Sequence, residues 1–108
     1  MTTIYILVKE CFAFGPVKTY IMDVRKDWDK ICNVRKKLIQ TIMEDGDPFF
    51  EEKLKQGYDI SKLSELEVIE YSDFIYYIRP KNITSVGIEF RIVKQQLEDW
   101  YSRNFYSF

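Results

Sequence analysis

The spacing of apolar positions along this chain changes several times, and each change marks a new element. In "TIYILVKECFAFGPVKTYIMDV" β-branched and aromatic residues dominate and are interrupted at Gly15-Pro16. That pattern predicts an antiparallel hairpin with strands over 3–13 and 17–24, the Gly-Pro pair supplying the turn. From Ile4 to Val8 the first strand is apolar on both faces, which places it centrally in a sheet or under cover on both sides. The second strand alternates less cleanly, with Val17, Thr19 and Ile21 on one face and Lys18, Tyr20, Met22 and Val24 on the other.

The period then becomes helical. Asp27 is a capping residue, because its carboxylate can accept from the unpaired amides of a first turn. A helix to Asp45 gathers Trp28, Ile31, Cys32, Leu38, Ile39, Ile42 and Met43 into one buried stripe. Lys30, Arg35, Lys36 and Lys37 occupy much of the remaining surface. Gly46 suits a left-handed C-terminal position. Asp47-Pro48 opens a second, shorter helix carrying Phe49, Phe50 and Leu54, with Glu51 and Glu52 in the first turn, where the helix dipole favours anions. Gly57 closes it, and "DISKLSEL" adds one further turn. "LEVIEYSDFIYYIRP" predicts a second hairpin, strands over 66–71 and 74–79, stopped by Pro80.

The final segment satisfies two templates. Val86, Ile88, Phe90 and Ile92 alternate as in a strand, whereas Val86, Phe90, Val93, Leu97, Trp100 and Tyr101 fall within one helical arc. The helical template collects more residues, so a helix from Thr84 or Ser85 to Asn104 is expected, although Gly87 weakens its first turn by up to ~1 kcal/mol. The alternative is a fifth strand over 86–92 leading into a shorter helix. Phe105, Tyr106 and Phe108 lie beyond the expected helix end, either folding back as a lid or meeting a partner. The order ββ-αα-ββ-α defines an α+β fold: one small domain over 1–108, with an antiparallel sheet of two hairpins packed on helices.

Composition sharpens the functional question. Eight Tyr, eight Phe and two Trp in 108 residues exceed what one small core can hide, so some rings belong at a surface or interface. The net charge of −1 argues against nucleic-acid binding by bulk charge, but it conceals segregation. Residues 1–43 carry eight basic against four acidic side chains, and residues 44–73 carry three against ten. Without a basic leader, or an apolar run of about 18 residues, the chain is expected to be soluble and cytoplasmic, with no membrane partner and both cysteines reduced.

Catalytic chemistry is poorly supplied. There is no histidine and each glycine stands alone, which removes the commonest general base, the commonest metal ligand and any phosphate-cradling loop. Cys11 and Cys32 fall among core-forming positions with only cations to activate them. No catalytic residue, metal or cofactor is expected. A small carboxylate-dependent enzyme or ligand-binding domain stays open only because acidic residues are abundant.

Two binding readings remain. Glu44, Asp45, Asp47, Glu51 and Glu52 crowd a helix junction beside Phe49 and Phe50, an acidic ring around an apolar anchor that suits a basic protein surface. Together with Phe105, Tyr106 and Phe108 these form the candidate partner site. The expected role is a non-enzymatic protein-binding module or homodimer acting by surface occupation. The profile is that of small accessory proteins of viruses and mobile elements, among them inhibitors of host defence nucleases. The alternative is single-stranded nucleic acid, bound by Arg25, Lys26, Lys30, Arg35, Lys36 and Lys37 with Tyr76 and Tyr77 as stacking rings.

Overall fold

A computed structural model describes residues 2–13, 15–54, 65–81 and 83–98. The doubly apolar first strand, β1 (Thr3–Ala13), has a partner on each side. Along one edge it pairs with β2 (Pro16–Arg25), completing the predicted hairpin. Along the other it pairs antiparallel with a strand at the far end of the sequence, β5 (Val86–Gln96), in unbroken register from Thr3↔Gln96 to Ala13↔Val86.

The helix expected from Thr84 or Ser85 to Asn104 is therefore corrected over 86–96 to a strand, longer than the alternative over 86–92, while its last part, 99–104, lies outside the described residues. The physical reason is long range. A central strand buried on both faces needs backbone partners on both edges, and β2 alone leaves one edge of β1 unpaired. Strand alternation also puts Val86, Ile88, Phe90 and Ile92 on one buried face. Helical conformation begins only at Leu97, whose N–H donates to the Thr2 carbonyl at 2.9 Å.

The second hairpin forms close to its predicted limits, as β3 (Leu66–Ser72) and β4 (Ile75–Pro80). β4 pairs with β5, so the all-antiparallel sheet runs β2-β1-β5-β4-β3. The chain is a small α+β fold, as expected, with five strands in place of four.

Helix α1 (Trp28–Asp45) begins as the sequence predicts: the Lys30 amide donates to Asp27 Oδ1 at 3.1 Å. It ends at Gly46, where φ is +79° and the glycine N–H donates to the Ile42 carbonyl at 2.9 Å. Helix α2 (Pro48–Leu54) is capped by Asp47, whose Oδ1 accepts from the Phe49 amide at 2.9 Å. Both helices contribute to the core on one face of the sheet, where Ile31, Ile39, Ile42, Phe49 and Phe50 cluster with Leu7, Cys11, Ile78, Val86, Ile88, Phe90 and Ile92. Trp28 anchors the start of α1 between two rings, 5.2 Å from both Tyr5 and Phe74. Ile4 and Ile6 alternate onto the sheet face away from this cluster and are also buried. Among the described residues no helix is long and apolar enough to cross a membrane.

Candidate functional site

The acidic helix junction divides into an inward and an outward part. Phe49 and Phe50 are not a surface anchor: their rings lie 5.7 Å apart within the core. Adjacent helical positions lie about 100° apart and can share one apolar face, and packing in the core removes both rings from water. Asp47 is also buried, and its Oδ2 lies 2.7 Å from Lys9 Nζ, with side-chain exposures of 11% and 15%. It is an ion-paired cap, already committed to β1 and α2. Glu44, Asp45, Glu51 and Glu52 stay exposed and form the acidic rim. Phe105, Tyr106 and Phe108 lie outside the described residues.

The basic set is dispersed. Arg25 is held by Asp23 at 2.9 Å, and Lys26, Lys30, Lys36 and Lys37 are exposed. Arg35 is buried with its guanidinium 3.8 Å from the centre of the Tyr76 ring. Tyr76 and Tyr77 are consecutive residues of β4 and so face opposite sides of the sheet. Tyr76 lies on the α1 side and Tyr77 on the other, where its ring packs 6.4 Å from Phe12 and 6.3 Å from Tyr71. The structure brings Arg35, Lys36 and Tyr76 together at one cavity between α1 and β4, but does not gather the other cations and Tyr77 with them.

A different surface emerges along β2, which lies at the edge of the sheet. Tyr20, Ile21, Met22 and Val24 are 43%, 57%, 38% and 37% exposed. An outer strand presents a row of unpaired N–H and C=O groups, and proteins normally blunt such edges with charge, bulges or cover. Here the blunting lies toward both ends of the strand: Pro16 and Lys18 precede the exposed stretch, where the register shifts opposite Cys11/Phe12, and more follows at the C-terminal end. A register irregularity opposite Leu7/Val8 passes over Met22, Asp23 Oδ1 accepts from the Val24 amide at 2.8 Å, and Asp23 pairs with Arg25. The stretch Thr19–Met22 has no charged side chain. The opposite edge, β3, contrasts with it: Glu67 and Glu70 place charge there, Glu67 bound to Arg79 at 2.9 Å.

Beside the β2 edge, a groove of about 350 Å³ runs between the sheet and α2. Cys11, Tyr20, Met22 and Phe49 supply apolar wall, while Lys18 and Glu52 offer opposite charges. Lys9 reaches across it, its Nζ 5.9 Å from the Tyr20 ring centre. Burial pushes the Cys11 thiol above its ordinary value of 9.0, against the opposing pull of Lys9. The group in the groove is thus a neutral thiol at pH 7, poorly suited to nucleophilic attack. Among the described residues no group of three or more acidic, cysteine or histidine side chains is placed to hold a metal ion. The groove and the edge lie side by side, one offering apolar wall and the other unpaired backbone groups.

The sequence shows β2 as a strand of imperfect alternation but does not show that it lies at an edge. With Tyr20, Ile21 and Met22 in succession the strand has apolar groups on both faces, and it is the strand order that leaves them exposed. Comparison with protein-family models, curated proteins and solved structures found no match.

Proposed function

We propose that this chain is a non-enzymatic protein-binding module that captures an extended segment of another protein along β2. The observation that supports this most is the uncharged, exposed stretch Thr19–Met22 on an outer strand. Added strands gain main-chain hydrogen bonds from such an edge, and pockets for alternate side chains provide selectivity. The adjoining groove is such a pocket. Exposed Glu44, Asp45, Glu51 and Glu52 lie on the helices beside it and favour a basic partner by complementarity and faster encounter.

In this reading the acidic rim steers and the β2 edge binds, so the protein acts by occupying its partner's surface, as an inhibitor of accessory type does. A photo-crosslinking residue at position 21 would identify the partner. Capture should disappear in Ile21→Lys and weaken in a Glu51→Lys, Glu52→Lys double variant. Undiminished capture of the same partner by Ile21→Lys would refute the reading. Sedimentation provides the parallel check: a wild-type dimer that Ile21→Lys converts to monomer identifies the captured strand as a second copy of this chain.

A further inference from the structure

Arg35 stands apart from the other described cations. It is 5% exposed, yet none of the ion pairs among the described residues includes it. Taking a charge out of water is costly unless an opposite charge or a full set of hydrogen bonds compensates. The compensation here is partial. Nη1 donates to the Asp73 carbonyl at 2.5 Å, Nη2 lies 3.8 Å from Cys32 Sγ, and the guanidinium stacks on Tyr76. A guanidinium carries five N–H donors, so most of its capacity has no acceptor among the described residues.

The same side chain lines a cavity of about 460 Å³ between α1 and the β3–β4 hairpin. Lys36 and Asn33 join Arg35 on its polar wall, Ile39 and Val68 provide an apolar wall, and Glu70 adds one negative charge. This volume is within the usual range for small-molecule sites, which combine apolar walls with a few convergent polar groups. It is separate from the β2 edge and from the groove beside α2, with no lining residue in common.

We propose that this cavity binds a small aliphatic monocarboxylate, its carboxylate meeting Arg35 and Lys36 and its hydrocarbon lying against Ile39 and Val68. The planar guanidinium matches a carboxylate geometrically, and a desolvated, charge-assisted contact is stronger than its exposed counterpart. Glu70 sets the charge limit: it repels a dianion more than a monoanion. A carboxylate is therefore preferred to inorganic phosphate, which is largely doubly charged above neutral pH.

The test is a titration of the whole chain with isovalerate, read by amide chemical shifts and thermal melting, against inorganic phosphate and against chloride at matched ionic strength. Isovalerate should shift amides of α1 around Asn33–Ile39 and of β3–β4 around Val68–Tyr76. At tenfold excess over Kd it should raise Tm by roughly 5 °C, and phosphate should bind more weakly. Arg35→Met should weaken isovalerate binding by about tenfold or more. Two exposed positions keep the test decisive if that variant does not fold: Lys36→Ala should weaken binding and Glu70→Gln should tighten it. Shifts no larger than those from chloride, or Lys36→Ala and Glu70→Gln affinities equal to wild type, would overturn the proposal.

Discussion

Gly87 of β5 lies so close beneath the phenol of Tyr77 on β4 that a Cβ at position 87 would overlap the ring. The two strands are neighbours, with Tyr77 opposite Glu89, so the ring leans diagonally over the glycine on the sheet face away from the core cluster. The residue that weakens a helical reading of this segment is the one that lets the strand pack. Gly87→Ala should destabilise the fold by about 1–3 kcal/mol through overpacking. Urea denaturation checks this, and a double-mutant cycle with Tyr77→Ala should recover most of the loss. A full loss that persists without the ring would assign the effect to backbone conformation instead.

Asp47 serves two partners at once, Lys9 at 2.7 Å and the Phe49 amide at 2.9 Å. Breaking a buried ion pair from one side costs about 3–5 kcal/mol when the other charge is left unpaired. Asp47→Ala should approach that range. Asp47→Asn keeps an oxygen for the cap and should be milder by about 1 kcal/mol. Equal midpoints for the two variants in urea would show that the cap contributes nothing.

Alkaline pH should destabilise the protein. Burial raises the Cys11 and Cys32 thiols from 9.0 and the Tyr77 phenol from 10.0, so the unfolded chain releases these protons first. Above pH about 9 the native state binds more protons than the unfolded state, and stability falls as pH rises. Below that pH these groups make no contribution to the slope. Cys11→Ala should lower overall stability but flatten the decline above pH about 9. Denaturation at a series of pH values reads the slope directly; an unchanged slope would remove Cys11 as a cause.

Ile21→Lys should separate folding from binding. The side chain is 57% exposed, so the substitution should move stability by no more than about 0.5 kcal/mol while placing a charge within the uncharged stretch Thr19–Met22. A large drop in Tm would mean that Ile21 is part of the folding core rather than of an interface.

Much of the fold was legible because it is local. Gly15-Pro16, the Asp27 cap, Gly46, and Asp47-Pro48 each act within a few residues of themselves, and the elements they bound appear where they predict. β5 was not legible by its own periodicity, since Val86 and Phe90 fit both templates. The deciding information lay in Ile4–Val8, whose apolarity on both faces marks a strand with two neighbours when the predicted hairpin supplies only one.

The sites were less legible for related reasons. Arg35 was assigned to a solvated face by residue type, although it stands four residues from both Ile31 and Ile39 and so shares their buried stripe. Phe49 and Phe50 were assigned outward by their acidic neighbours, although the short helix carrying them turns both toward the core. In each case position on the element outweighed chemical character. The exposure of β2 depends on strand order, which no local pattern encodes.

The most direct test of the β2 edge as the binding surface is amide hydrogen exchange of the chain alone and with its captured partner. Strand addition should slow alternate amides within Lys18–Met22 by about tenfold or more as new backbone hydrogen bonds form. Unchanged exchange along β2, with protection appearing only on α1 or on the β3–β4 hairpin, would contradict the account.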